Sequence, residues 1–465
     1  MPMKTHATHL AHTLMLLALC FSTPLLAQPS ASTAIARAAV LGGKTVDIGA
    51  PPKVVTGPIK QSTRDALDVL LTDFGQSPWN SDMDAALSVI ADSGDPRLAW
   101  VVTDLLRFVS SPELNDDIAE ALNKLLDTKL RGSSTWHASV TRLIAWDIPA
   151  PPDYLTYKRA IFTGIFPEWG PLFVDGDIDW RHVSWGGVRI DDRPFDTTDD
   201  PCNCIPAADN PEVSTAKEAR WLDDDAIVFG ISINGEHRAY PRRIMEVREM
   251  VNDTLGGRDL GIPYCTLCGS AQAWFTDDLP EGVERPVLRT SGMLIRSNKV
   301  MYDLTTHSVM DTFLGTAVTG PLAERGFQLK QATVVTTTWA DWKAEYPDTT
   351  VLVEHLALGR DFDFRNGRDA SGPIFPIGNV DERLGIQEDV LGVVTKTGKP
   401  IAFHVPSLIK ALDSGKTVSV DGVQVVLSAG GVRAVDDQGQ DLGTHQAFWF
   451  AWSQFHKDTA LWPES

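Results

Sequence analysis

One strand plan occurs twice in this chain, and it restricts the fold more than any other feature. Ile227-Val-Phe-Gly-Ile-Ser-Ile233 turns at Asn234-Gly235 into residues 236–240, and Val390-Leu-Gly-Val-Val-Thr395 turns through 396–400 into Ile401-Ala-Phe403. Each copy has a glycine inside an apolar strand (Gly230, Gly392), a turn glycine (Gly235, Gly398) and an alanine–aromatic pair (Ala239-Tyr240, Ala402-Phe403). Asn-Gly suits the tight turn that matches strand twist, so each copy predicts a hairpin. Helix-like apolar pieces follow at 244–251 and 408–412. The pattern predicts a mixed α+β domain over 186–460, with two related halves at about 220–350 and 385–460 that share a duplicated strand-hairpin-helix unit. Only the first copy runs on into Tyr264-Cys-Thr-Leu-Cys268; the second reaches Val425-Val-Leu-Ser-Ala-Gly430.

Upstream the periodicity is helical. Asp95-Pro96 is an N-cap followed by a first-turn proline, whose missing N–H does no harm there. Leu98, Val101, Val102, Leu105, Leu106 and Val109 then follow the spacing of one buried stripe. Segments 83–90 and 118–126 behave alike, and Ala91-Asp-Ser-Gly-Asp-Pro-Arg97 resembles the turns of HEAT-like repeats. A small helical domain is expected over 63–148, with a surface for a protein partner. Pro149, Pro151 and Pro152 end it, and an aromatic-rich connector with Trp169, Trp180 and Trp185 fills 149–185. The fold class expected is therefore α+β, a small N-terminal HEAT-like domain followed by the duplicated domain.

The N-terminus carries Lys4, an apolar run from Leu14 to Phe21, and small and polar residues up to Ala27. That run is far shorter than the ~20 residues of a membrane span, so residues 1–27 read as a signal peptide and 28–62, rich in Ala, Ser, Pro and Gly, as a flexible linker. A lipidated Cys20 is the alternative, disfavoured by Leu19 where a small residue is expected. The chain is expected to be periplasmic or secreted, with no integral membrane span. A formal charge of -20 argues against nucleic acid, whose phosphates such a surface repels.

Four of the five cysteines lie beyond the signal: Cys202, Cys204, Cys265 and Cys268. In an oxidising compartment they allow two disulfides, with three pairings. Three readings of Cys265 and Cys268 stay open: a structural disulfide, a soft-metal site for copper or zinc, and a thiol–disulfide redox pair. Met293, Met301, Met310 and His307 follow the pair within one segment and make soft metal the leading functional reading. Cys202 and Cys204 are candidates to complete a four-sulfur site, while a disulfide within C-x-C sits at the margin of acceptable geometry. No Ser-His-Asp order, phosphate loop or HExxH motif is present, and no reaction is assigned.

Arg238-Ala-Tyr-Pro241, Asn252-Asp253, Tyr264-Cys-Thr-Leu-Cys-Gly-Ser-Ala271, Val300-Met-Tyr-Asp303, Trp339-Ala-Asp-Trp342 and Phe448-Trp-Phe-Ala-Trp452 together resemble a widespread bacterial domain-of-unknown-function family. The likeness covers about 186–460 and implies no reaction. It directs attention to Met301 and His456 as additional ligands, and to Arg238, Asn252, Asp253 and Tyr264 as supports for the cysteine site. The chain departs from the family pattern in three places. Arg248-Glu249 replaces a His-Glu pair, Thr266 replaces a proline, and Cys202-Asn-Cys204 looks like an addition.

Overall fold

A computed structural model of the protein describes residues 38–41, 43–197, 202–353 and 372–463. The expected signal peptide over 1–27 and Cys20 lie outside the described residues, as do residues 28–37 of the expected linker. The rest of that linker is not a free tether. Strands Ala38–Leu41 and Lys44–Asp47 pair, Val40 N–H donates to the Gly378 carbonyl at 3.0 Å, and Ala39, Val40, Ile48 and Ile59 are buried.

Six helices follow: α1 (Gln61–Asp73), α2 (Ser81–Asp92), α3 (Ala99–Leu106), α4 (Pro112–Leu126), α5 (Thr135–Ala145) and α6 (Tyr154–Ile165). Local chemistry starts several of them. The Asn80 side chain accepts from the N–H groups of Asp82 and Met83, and Ser111 caps α4 just before Pro112. Asp95 caps a short 3-10 turn, Pro96–Leu98, so the stripe read as one helix is a turn feeding α3.

These helices are not a HEAT-like domain of their own, and the expected fold class is overturned. Their buried residues form one apolar core with Met293, Val300, Tyr302 and Val309 from the strands, closed by Trp169, Phe173 and Trp180 of the connector. Trp169 Nε1 donates to the Ser291 carbonyl at 2.8 Å. Every residue of α3 is buried, including Thr103 and Asp104. A helix covered on all sides belongs inside a larger body, whereas a repeat helix keeps a solvent face. Asp104 tolerates this position because Lys158 and the Tyr154 hydroxyl each donate to it at 2.7 Å. The strands do not build one mixed α+β layer either. Among the described residues they divide into small sheets, five of them with three to six strands, a propeller-like partition into blades.

Two of these sheets share one plan. In the first, Ile227–Ile233 and Glu236–Pro241 form a hairpin, Val335–Thr338 pairs antiparallel with the first hairpin strand, and Thr350–Leu352 pairs parallel with the second. In the other, Asp389–Val394 and Pro400–His404 form the hairpin, with Thr444–Phe448 antiparallel and Ala460–Trp462 parallel in the same places. Gly230 faces Ala239 across its hairpin, and Gly392 faces Ala402. Each glycine lies flat under an indole, Trp342 or Trp452, and a Cβ at either position would fall well inside that ring's contact distance. Both indoles donate to a threonine hydroxyl at 2.9 Å, Thr349 for Trp342 and Thr459 for Trp452. Short helices follow both hairpins, Arg242–Arg248 and Val405–Asp413.

The chain between hairpin and third strand then differs. In the first copy, Met250–Leu255 and Arg258–Cys265 pair and lead to a sheet with Ala208–Asp209, Ala273–Phe275 and Lys330–Ala332. The same stretch supplies Leu288–Ile295, Asn298–Asp303 and Val309–Asp311 to a four-stranded sheet that Val183–Trp185, from ahead of the hairpin, completes. In the second copy only three short strands, Val418–Val420, Val423–Ser428 and Gly431–Val435, occupy the corresponding stretch.

The glycine–indole contact yields the first prediction. Gly230→Ala and Gly392→Ala should each cost about 1–3 kcal/mol through overpacking, whereas exposed Lys410→Ala should change stability by no more than about 0.5 kcal/mol. Urea unfolding of the three variants checks it.

Candidate functional site

Strand Arg258–Cys265 delivers the first cysteine, and a tight turn brings the second back, with Cys268 N–H donating to the Cys265 carbonyl at 3.2 Å. The two are disulfide-bonded, with Cα atoms 5.3 Å apart. Both sulfurs face the Ser297 carbonyl, at 4.0 Å for Cys265 and 3.8 Å for Cys268. The turn is wedged against the second hairpin sheet: the Cys268 carbonyl accepts from Phe448 N–H at 2.9 Å, and Phe448 and Phe450 share its apolar core.

A cavity of about 420 Å³ opens beside this turn, and Cys265 stands in its wall while Cys268 does not. Lys299, Glu249, Thr266 and Met293 line it too, and so does Cys204. Lys299 is buried in strand Asn298–Asp303, where its ammonium donates to Thr290 Oγ1 at 3.1 Å and pairs with Glu249 Oε2 at 2.7 Å. Burial pulls the Lys299 pKa down, and Glu249 acts against that pull. The Thr266 hydroxyl donates to the other Glu249 oxygen at 2.6 Å. Glu249 itself ends the helix Arg242–Arg248 in a left-handed conformation, with φ of 48°.

Cys202 and Cys204 form the second disulfide, with Cα atoms 5.1 Å apart. Asp191 lies beside them, and its carboxylate and the two sulfurs fall within 4.8 Å of one another. Among the described residues this is the group whose spacing suits a metal, and it does not include Cys265 or Cys268. A joint four-sulfur site therefore has no support in the geometry, although both pairs reach the same cavity. Asp191 is also heavily engaged, accepting from Arg193 Nε at 2.7 Å and from Ala207 N–H at 2.8 Å.

The other sequence candidates are placed elsewhere. Met301 faces Met310 across two strands, and both pack with Met250 in a separate apolar cluster, so only Met293 of the three methionines reaches the cavity. His456 stacks on Trp452 with ring centres 4.0 Å apart, the place that Tyr346 takes beside Trp342 at 4.6 Å. Burial lowers its pKa to about 4. His445, also buried and near His456, is pushed to about 3 and sits between Gln272 and Gln331.

Arg238 and the Tyr240 hydroxyl both bind Asp253, with Arg238 Nη1 2.6 Å and Tyr240 Oη 2.7 Å from Oδ2. Asn252 donates to Asp209 at 2.8 Å and exchanges hydrogen bonds with the Leu288 backbone. Tyr264 packs on Phe229 with centres 4.9 Å apart. Arg238, Asn252 and Asp253 thus join strands to one another through their hydrogen bonds. Sequence reasoning missed Lys299, Glu249 and Asp191. The available signal was a lysine inside the run Asn298-Lys-Val-Met-Tyr-Asp303, together with one departure from the family pattern, Thr266, whose hydroxyl bonds Glu249, the neighbour of a second departure, Arg248.

His456→Tyr should fold and leave the cavity chemistry unchanged, because Tyr346 fills the matching position. The variant also tests a pH effect. A histidine held near pKa 4 in the fold but near 6.5 when unfolded stabilises fully above 6.5, and that stability is lost as pH falls towards 4. Melting temperatures between pH 7 and 4 should fall less steeply in His456→Tyr than in the parent.

The family described as "Protein of unknown function (DUF3179)" matches residues 202–441. No curated protein and no solved structure matches the chain.

Proposed function

This chain belongs to the DUF3179 family of proteins of unknown function, and from that premise we propose that it is an exported thiol–disulfide protein whose Cys265–Cys268 pair cycles between disulfide and dithiol. The observation that carries this reading is the placement of the disulfide: Cys265 forms part of a cavity wall that also holds a buried lysine. Lys299 is ion-paired with Glu249 at 2.7 Å in that wall, so the pair gives Cys265 a polar surrounding and not a free cation. The export signal read at residues 1–27 would deliver the chain to a compartment where disulfides form. Among the described residues no helix is long and apolar enough to cross a membrane.

Soft metal at Cys265 and Cys268 is the weaker reading, because Met301 packs in a separate apolar cluster and the His456 ring lies against Trp452. A second metal reading rests on Asp191, Cys202 and Cys204. It requires reduction of their disulfide, since only thiolates bind copper or zinc well, and it requires Arg193 to yield part of its hold on Asp191.

The test is alkylation and mass spectrometry of native protein held at graded redox poise. The expected result is labelling of Cys265 without unfolding in samples held at reducing poise, and no labelling in samples returned to oxidising poise before the reagent is added. A pair that reacts only after denaturation would overturn the proposal. In the same reduced samples, zinc or copper retained by the parent and lost in Cys202→Ser would support the second reading.

A further inference from the structure

We infer that the cavity takes a low-molecular-weight thiol or its disulfide as the exchange partner of Cys265, and excludes the cysteines of other proteins; this rests on the redox reading above. Three observations lead to it. Cys265 is 2% exposed and Cys268 0%, so neither sulfur is presented on a surface where another protein could dock. The cavity of about 420 Å³ falls in the range of small-molecule sites, roughly 300–1,000 Å³. Its walls follow the usual plan of such sites, apolar side chains such as Val188, Leu294 and Phe375 around a few convergent polar groups, here Lys299, Glu249 and Thr290.

The rim is also held. Phe375 packs edge-on against Trp136 at 6.2 Å and lies 5.5 Å from the Arg107 guanidinium, while Arg107 Nε donates to the Trp185 carbonyl at 2.9 Å. Cys265 lies within this recess and is itself almost closed to solvent, which favours a small guest over an extended peptide.

The placement also sets the direction of attack. Exchange needs the incoming sulfur in line with the bond it breaks, and Cys265 is the member of the pair that faces the cavity. A thiolate RS⁻ attacks Cys265 Sγ; the RS–Cys265 bond forms, the Cys265–Cys268 bond breaks, and Cys268 leaves with the electron pair and takes up a proton. A second RS⁻ attacks the sulfur of the bound guest, releasing RSSR and leaving Cys265 as a thiolate that is then protonated. Two small thiols are oxidised to one disulfide, and the protein gains two electrons and two protons. The reverse sequence oxidises the protein.

Full-length Cys268→Ser traps the intermediate, because the resolving sulfur is gone. Incubated natively with oxidised glutathione, it should form a mixed disulfide at Cys265, located by peptide mass spectrometry. With an oxidised thioredoxin-type protein as the probe it should form none. Val188→Trp, or Ile374→Trp at the exposed rim should the first fail to fold, narrows the cavity and should cut glutathione adduct formation at least tenfold with an unchanged melting temperature. An adduct with the protein probe only would overturn the size restriction and leave the redox reading standing. Adducts with neither probe would overturn both. An adduct unaffected by a folded cavity-filling variant would place the reaction outside the cavity and overturn this inference alone.

Discussion

An indole laid over a glycine holds each of the two hairpin sheets together. Trp342 covers Gly230 and Trp452 covers Gly392, at positions where any side chain would push the ring away. The short helices that carry the tryptophans, Trp339–Glu345 and Trp449–Phe455, are thereby fastened to the centres of the hairpins, and the threonine bonded to each indole nitrogen immediately precedes the parallel edge strand. Hairpin, helix and edge strand thus share one contact. The strands that position Cys265 and Lys299 are inserted between a hairpin and the strand that completes its sheet, so this packing closes the chain on both sides of them.

That contact also explains what could be read in advance. Gly230 and Gly392 interrupt apolar strands in the same register, and the hairpins were legible from them with the Asn-Gly turn. The cap at Asp95 followed from local chemistry and needed no tertiary knowledge, although the turn it starts is a 3-10 turn ahead of α3. The merging of the helices with the strands was hidden, because periodicity reports that a face is buried and not what buries it. Trp169 and Ser291 meet across more than a hundred residues of chain, a separation at which no local pattern operates.

The site was legible in its sulfurs and illegible in its polar partners. A CxxC pair announces chemistry by spacing, but Met301 and His456 looked like ligands only because soft side chains followed in sequence. In space they serve apolar packing. Lys299 was disguised by its neighbours in an apolar strand, and its burial is tolerable only because Glu249, from a distant helix end, supplies the opposite charge. Pairings of that kind arise from the fold, so they escape a reading made along the chain.

The two halves also exchange contacts in a reciprocal way. The turn bearing Cys268 in the first copy receives Phe448 from the third strand of the second, and the turn at Ala429-Gly430 in the second copy receives the Thr337 hydroxyl from the third strand of the first, at 2.5 Å. This is the self-complementary geometry of a two-fold dimer, written within one polypeptide. Two identical subunits would carry the same residues at both turns. A single chain is free of that symmetry: it keeps sulfurs at one turn and a plain Ser428-Ala-Gly430 at the other, so the same handshake joins two chemically different turns.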